Sequence, residues 1–178
     1  MIYFITGNKG KFEEAKTIIS ELEQLEIDLP EIQEIDSKKI IEAKLITATE
    51  HHNGEFVVED TSLALDCING LPGPMIKWFE KTIGNKGIAN LADKLENSKA
   101  TAKVVLGFKR GDEISYFEGS IKGQIVQPRG DLDWGWGPIF QPEGHEKTFG
   151  EMDREEKNSL SMRKIAFTKL KDFIGNIS

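Results

Sequence analysis

Residues 6–11 read TGNKGK and carry the first candidate chemistry of the chain, the binding of an anion. They follow a short apolar run and precede a helical pattern, so the turn is expected to expose backbone N–H groups at a helix N-terminus. Lys9 and Lys11 lie at this positive end of the helix, where each costs about 0.3–1 kcal/mol unless an anion offsets it. A bound phosphate explains that placement, and on this motif alone a solvated loop explains it equally well. The spacing of a P-loop is absent, because Phe12 follows Lys11.

Two adjacent carboxylates, Glu59 and Asp60, end an apolar run and form the second candidate site. Carboxylates of this kind hold Mg²⁺ or polarise a water for attack. In a regular strand their side chains point to opposite faces, whereas a bend would bring both to one place. Glu31 and Glu34 offer a further metal ligand. On this pair alone, two charges at a solvent-exposed strand end are the better explanation.

Aromatic and basic residues in the last third of the chain form two further motifs. Trp134 and Trp136 lie in a glycine-rich segment, residues 128–142, where they either belong to the core or stack on a flat ligand such as a base. Lys157 and Arg163 lie near a helix start, where they either contact a phosphate or a carbonyl edge or belong to a surface helix.

The elements that must position these motifs alternate between strand and helix patterns, which favours an α/β class with a mixed sheet. Asn8 is the predicted N-cap of the first helix, Ser37 caps the second and Asp153 caps the last. The stripe expected to bury the last helix is Ile165, Ala166, Leu170, Phe173 and Ile174. The predicted strands are residues 2–6, 25–29, 55–60, 62–66, 101–109 and 113–127, and the predicted helices cover 10–22, a segment from 37 to about 48, 76–83, 88–95 and 153–173.

Composition bounds the class of protein. The chain has 178 residues, of which 38% are apolar and 30% charged, with a net charge of −7. This suits one domain over residues 1–178, is too apolar for a disordered chain and argues against a duplex-binding protein, whose footprint is basic. The lone Cys67 allows no internal disulfide and favours the cytoplasm. No apolar run approaches the roughly 18 residues of a membrane span, so no membrane partner is expected.

Five segments together resemble the inosine triphosphate pyrophosphatase family. They read TGNKGK, VVEDTSL, GLPGPMIKWF, WGWGPIFQP and EKNSLSMR, and they span nearly the whole chain. The resemblance implies an elongated mixed sheet flanked by helices, with two lobes and a central nucleotide-binding cleft. It implies Mg²⁺-dependent cleavage of inosine, deoxyinosine and xanthosine triphosphates to the monophosphate and pyrophosphate, by a homodimer that cleanses the nucleotide pool. No nucleic-acid partner is expected, given the acidic composition. The alternatives are the same chemistry on another base and a nucleotide sensor that does not hydrolyse.

The resemblance also implies roles for individual residues near the phosphates. The implied catalytic residues are Asp60, Glu59 and Lys44. Glu31 and Asp60 are the implied metal ligands, with Glu34 as the alternative to Glu31. The implied contacts to the triphosphate are Thr6, Asn8, Lys11 and Lys77.

The implied base site shows two departures from the family pattern. Trp134 matches an aromatic that stacks on the purine, and Lys157 and Arg163 match donors to its 6-oxo group. Adenine would be rejected because its 6-amino group would face other donors. Gly137 replaces the usual Asp and Met162 the usual His, so we expect catalysis to be retained and base preference to be loosened or redirected.

Overall fold

The structure is a computed structural model that describes residues 1–131 and 135–176. Strands and helices alternate from residue 2 to residue 65, as predicted, and like elements follow one another after it. The strands are β1 (Ile2–Ile5), β2 (Leu22–Leu25), β3 (Glu55–Leu65), β4 (Pro72–Gly73), β5 (Lys99–Arg110), β6 (Glu113–Ile125) and β7 (Phe140–Pro142). The helices are α1 (Lys9–Lys16), α2 (Ser37–His51), α3 (Ile76–Thr82), α4 (Gly84–Lys94), α5 (Arg154–Leu160) and α6 (Met162–Asn176), with 3-10 turns at Asp66–Ile68 and Gly137–Ile139.

In the described part of the chain, the strands form one seven-stranded sheet of order β2-β1-β3-β5-β6-β7, with β4 paired to β3. β1 is parallel to both β2 and β3, while the β3–β4 and β6–β7 pairs are antiparallel. Parallel neighbours require crossover connections, which α1 and α2 supply. The predicted α/β class with a mixed sheet is therefore confirmed.

The chain divides into two compact units. Unit 1 comprises Met1–Asp60, Val104–Gly119 and Met162–Ser178, and unit 2 comprises Thr61–Lys103 and Ser120–Ser161. The expectation of one catalytic domain over residues 1–178 stays a prediction.

Unit 1 buries apolar residues on both faces of β3. Phe56 and Val58 point to one face, where they form a cluster with Ile41 and Leu45 of α2. Val57 points to the other face, because successive strand residues alternate. There α1 packs against α6, and the ring of Phe4, the register partner of Val57, lies 5.2 Å from that of Phe167 in α6. Helices of unit 1 therefore cover both faces of β3, with α2 on one face and α1 and α6 on the other.

Unit 2 has an aromatic core of its own. The ring of Trp136 lies 5.7 Å from that of Phe140, which lies 5.2 Å from that of Phe149. Phe140 and Phe149 are buried, and Trp136 is half-buried against them. Of the two alternatives for Trp136, the structure favours the core. Trp134 lies outside the described residues.

The first helix is shorter than predicted. It ends at Lys16, and Leu22 begins β2 as the register partner of Ile2. The strand expected over residues 25–29 is instead Leu22–Leu25. Apolar spacing does not separate helix from strand in runs this short, and the buried edge beside β1 decides the outcome.

Two other boundaries differ from the predictions. The strands expected at residues 55–60 and 62–66 are one continuous strand, β3. The expected last helix is broken at Ser161, whose ψ of 143° is extended. Ile165 is 37% exposed, because the break rotates the buried stripe of α6. That stripe is Met162, Arg163, Ala166, Phe167 and Leu170.

No helix among residues 1–131 and 135–176 is long and apolar enough to cross a membrane.

Candidate functional site

The TGNKGK turn is organised by its own side chains. The Thr6 hydroxyl accepts a hydrogen bond from the backbone N–H of Asn8 at 3.1 Å. The Asn8 side chain accepts from the backbone N–H of Lys11 at 3.0 Å and caps α1, as predicted. These bonds fix the start of the helix and place Lys11 in its first turn. A helix N-terminus with a lysine in its first turn suits an anionic ligand.

Lys11 reaches a buried cluster of charges around Glu59. Its Nζ lies 2.7 Å from Oε1 of Glu59. The Arg163 guanidinium grips the same carboxylate through Nε at 2.8 Å and Nη2 at 2.9 Å, and its Nη1 donates to Glu14 at 2.7 Å. Burial alone would raise the pKa of Glu59, but the charges of Arg163 and Lys11 outweigh it and hold that pKa well below its usual value. Glu59 is therefore ionised, and it contacts both cations of a cluster that also contains the Glu14 carboxylate.

Asp60 occupies the opposite face of β3. It is buried, and the side chain of Ser37 in α2 hydrogen-bonds its carboxylate. Burial raises the pKa of Asp60, although Ser37 and the charge of Lys44 partly offset this. Its Oδ2 is buried and has no hydrogen-bond partner within the described ranges. A buried acceptor of this kind requires a water or a cation.

This donor set fits Mg²⁺. No group of three or more His, Cys, Asp or Glu side chains that could hold a metal occurs among the residues described. Mg²⁺ does not need one, because it commonly takes one or two carboxylates and completes its shell with waters and substrate phosphates. Oδ2 of Asp60 could supply one such ligand.

Lys44 extends from α2 towards the same strand. Its Nζ donates to the backbone carbonyl of Glu59 at 3.0 Å. Burial lowers the pKa of Lys44, while the negative charges of Asp60 and Glu31 act to raise it. Glu31 is therefore electrostatically coupled to the lysine that neighbours Asp60.

Glu34 is engaged elsewhere. Its Oε1 accepts from the backbone N–H groups of Ile35 and Asp36 at 2.8 and 3.2 Å, and its Oε2 pairs with Lys39 at 3.4 Å. These contacts serve the approach to α2 and lower the pKa of Glu34. Glu31 and Glu34 remain the two predicted alternatives for the metal ligand.

The other predicted site residues belong to unit 2. Lys77 is exposed at the start of α3, and Lys157 is half-buried on α5. The start of α5 is capped by Asp153, which accepts from the backbone N–H of Glu156 at 2.8 Å. The Glu156 carboxylate pairs with Lys147 at 2.8 Å and so does not complete a capping box. The contacts predicted from Lys77, Trp134 and Lys157 to a nucleotide stay predictions.

Sequence reasoning missed Ser37 and Glu14 as members of the site and expected Arg163 to face a base. In the structure Arg163 is buried and its three nitrogens bond Glu59 and Glu14. Ser37 was recognised only as a helix cap, but Asp36 is the cap and Ser37 turns inward to Asp60. The available signal for Glu14 was its i,i+3 spacing from Lys11 on an otherwise apolar face.

A helix start with a lysine in its first turn, beside buried carboxylates on an open mixed sheet, is typical of α/β proteins suited to phosphorylated ligands. The Ham1 family model matches residues 2–173, and the chain belongs to the Ham1 family. The family resemblance inferred from the five segments is thereby confirmed.

Curated relatives cover nearly the full chain. The inosine triphosphate pyrophosphatase of Schizosaccharomyces pombe is 41% identical over 97% of this chain and 94% of that protein. The protein of the same name from Scheffersomyces stipitis is 38% identical over 97% of both chains.

Solved structures share the fold. The Ham1 protein of Staphylococcus aureus superposes with a TM-score of 0.82 over 100% of both chains, at 22% identity. A HAM1 protein from Coxiella burnetii gives 0.84 over 98% of both, at 21% identity. A nucleoside-triphosphatase, or dITP/XTP pyrophosphatase, from Mycobacterium abscessus gives 0.71 at 26% identity, covering 96% of this chain and 98% of that one.

Proposed function

We propose that this protein is a nucleoside triphosphate pyrophosphohydrolase that cleaves inosine, deoxyinosine and xanthosine triphosphates to the monophosphate and pyrophosphate. One observation carries the proposal: Oδ2 of Asp60 is buried and accepts no hydrogen bond from the described residues. Asp60 lies near Lys44 and directly follows Glu59, the ion-pair partner of Lys11. The names of the curated relatives support the substrate class. Removal of such nucleotides from the pool is the proposed role.

The phosphate chain is bound by the helix start and the lysines. Thr6 and Asn8 shape the turn, and Lys11 and Lys44 neutralise phosphate oxygens, with Lys77 as a further contact. Phosphoryl transfer needs charge neutralisation and in-line positioning more than covalent help, so fixed cations contribute most.

Asp60 is the group that acts at the reacting centre. Asp60 and Glu31 would hold Mg²⁺, which when bound supplies charge neutralisation and a more acidic water. Asp60 orients the attacking water and accepts its proton, with Ser37 fixing the carboxylate from behind. Attack on the α-phosphorus releases pyrophosphate.

Base selection belongs to residues of the last third of the chain. Trp134 stacks on the purine and Lys157 donates towards the 6-oxo group, while the three nitrogens of Arg163 stay bonded to Glu59 and Glu14. A 6-amino group would leave the Lys157 donor unpaired, which disfavours adenosine triphosphate.

The test is a turnover panel in water labelled with oxygen-18. Inosine, xanthosine, guanosine, adenosine, cytidine and uridine triphosphates are compared with their deoxy forms in Mg²⁺, and pyrophosphate and orthophosphate are scored separately. We expect pyrophosphate, with the label in the monophosphate, and no turnover after chelation. Label in pyrophosphate, or release of orthophosphate, would contradict attack at the α-phosphorus.

A second candidate function keeps this chemistry and changes the base. Gly137 and Met162 stand where the family pattern has Asp and His, and both are buried. Pyrophosphate released mainly from a pyrimidine or modified nucleotide in the same panel would favour it. Nucleotide binding without turnover would favour a sensor instead.

We further propose that the protein is a homodimer, as the family resemblance implies, and that it is cytoplasmic, as its single cysteine indicates. Light scattering after size-exclusion chromatography measures the mass, with 20.0 kDa expected for one chain. Fractionation of cells tests the compartment.

A further inference from the structure

Two proposed phosphate-binding lysines meet at one residue, Glu59. Lys11 lies 2.7 Å from the Glu59 carboxylate, and Lys44 donates to the Glu59 backbone carbonyl at 3.0 Å. The two lysines come from α1 and α2, which lie on opposite faces of β3. Glu59 is therefore the point of the strand that both helices reach with a cation.

Both oxygens of the Glu59 carboxylate contact cationic side chains. Oε1 receives Lys11 and Nη2 of Arg163, and Oε2 receives Nε of Arg163. The side chain is only 5% exposed, whereas that of Lys11 is 34% exposed. Glu14 in turn holds the remaining guanidinium nitrogen of Arg163. The carboxylate is fixed by the buried arginine, and the lysine on its outer side keeps access to solvent.

We propose that Glu59 is a positioning residue, whose side chain fixes Lys11 for the phosphate chain and does not take part in bond making. Lys44 is held by the backbone carbonyl, which a substitution at this position retains. The inference rests on the proposed function. A free lysine has many rotamers, and ordering it at binding costs affinity. A lysine already held in one place by Glu59 avoids much of that cost. Arg163 acts through Glu59, because its two hydrogen bonds keep the carboxylate in place when the Lys11 side chain moves.

The main variant is Glu59→Asp. It keeps the charge opposite Arg163, but its side chain is one methylene shorter and no longer reaches Arg163 and Lys11 together. We expect the Kd for inorganic triphosphate, measured by calorimetry with Mg²⁺, and the KM for inosine triphosphate to rise by about tenfold. We expect kcat to stay within about threefold.

Glu55→Gln is the matched control. Glu55 lies four residues earlier on β3 and pairs with Arg110, far along the strand from the lysines. Losing that ion pair should leave Kd and KM unchanged. A comparable rise in both variants would assign the effect to general weakening of β3 and would overturn the proposal.

A double-mutant cycle separates positioning from bulk structure. Lys11→Met should weaken triphosphate binding, and Glu59→Asp should add little in that background, because the residue it positions is gone. Fully additive effects would overturn the proposal. Arg163→Lys provides a second route if Glu59→Asp does not fold, since it keeps the buried charge but loses the two-oxygen grip.

Two further results would also overturn it. A fall in kcat of about a hundredfold or more with unchanged triphosphate affinity would make Glu59 a reacting group. A change above about tenfold in the preference for inosine over guanosine triphosphate would assign the Arg163–Glu59 contact to the base. If the wild type hydrolyses no nucleotide while Glu59→Asp still weakens triphosphate binding, the proposed function fails and the positioning role stands.

Discussion

At the scale of single residues, Asp60→Asn is the sharpest test of the chemistry. The amide keeps the shape of the side chain but neither accepts a proton nor binds Mg²⁺ well, so we expect kcat to fall by at least about a hundredfold. Burial raises the pKa of Asp60, which means that the folded state disfavours its charge. Thermal stability at neutral pH should therefore hold or rise. Pyrophosphate release and a melting curve measure the two effects.

Ser37→Ala is the matched comparison for Asp60. It removes the hydrogen bond to the carboxylate but leaves the charge in place. Turnover should drop only several-fold, because orientation is weakened and the base remains. Unimpaired turnover in folded Asp60→Asn would remove Asp60 from the mechanism.

Glu80 gives a prediction on stability and pH. Burial raises its pKa above the usual value. The folded state then binds a proton more tightly than the unfolded state, so the favourable contribution is complete below the unfolded pKa and is lost as pH rises through the folded pKa. Glu80→Gln cannot titrate, and its stability relative to the wild type should therefore improve between pH 4 and pH 7, by less than about 1 kcal/mol because the side chain is half exposed.

Melting temperatures of both proteins across that range check the sign. Added salt is the control, because it screens the general repulsion of a chain with net charge −7 but leaves desolvation in place. A stability gain of Glu80→Gln over the wild type that shrinks as pH rises would contradict a raised pKa for Glu80.

The parts of the site that could be predicted from sequence depend on neighbours along the chain. Asn8 caps α1 through a residue three positions on, and such local bonds follow from residue type. The grip of Arg163 on Glu59 and Glu14 joins residues 104 and 149 positions apart. The tertiary packing of α1, β3 and α6 brings them together, so no local pattern indicated it.

At the scale of elements, the same distinction separates β5 and β6 from α1. Gly111 at φ +59° provides the turn between β5 and β6, which lie where the two long strands 101–109 and 113–127 were predicted. By contrast, Leu22 fits a helical stripe and a strand equally well, and the parallel pairing with Ile2 decides between them. The type of an element was predictable where a turn residue or a long periodic pattern fixed it. The boundaries of an element were not predictable where pairing with a distant strand fixed them.

Gly107 controls how closely α2 approaches the sheet. A Cβ there would lie 2.2 Å from Cγ2 of Ile41 and 3.2 Å from Cδ1 of Leu45, both in α2. We expect Gly107→Ala to lower the free energy of unfolding by about 1–3 kcal/mol through overpacking. Because α2 also carries Lys44, the KM for the triphosphate should rise as well. Urea melts and steady-state kinetics measure both.

Gly175→Ala is the control on α6, where nothing lies within 4 Å of an added Cβ. Alanine is the better helix former by about 1 kcal/mol, and the position near the helix end reduces that gain. Equal destabilisation by the two alanines would mean that close packing of α2 on β5 is not what Gly107 provides.

At the scale of the whole molecule, the two noted departures from the family pattern lie in the last third of the chain. Relatives at 38–41% identity align along 97% of it. The residues proposed to act on the phosphates are those of the family pattern, whereas both noted departures lie among the residues implied to read the base. Catalysis and selectivity can therefore diverge in this protein.

Restoring the two departures tests that divergence. Gly137 opens a buried 3-10 turn and accepts a hydrogen bond from the Gly150 N–H at 3.1 Å, and Met162 is a buried residue at the start of α6. Asp and His at these positions would each add a hydrogen-bonding group, which favours one pattern of base donors and acceptors over another. We expect Gly137→Asp with Met162→His to raise the ratio of kcat/KM for inosine over adenosine triphosphate by about tenfold, or 1.4 kcal/mol.

The single variants show whether the two groups act together, since a joint effect larger than the sum of the single effects indicates coupling. Inorganic triphosphate carries no base, so its Kd serves as the control. That Kd should stay constant across the wild type, the two single variants and the double variant if only the base site changes. Strict preference of the wild type for inosine and xanthosine triphosphates, with a ratio unmoved by the double substitution, would mean that Gly137 and Met162 are tolerated replacements. A wild type that accepts several bases and gains preference on substitution would instead mark these two positions as the origin of a changed specificity.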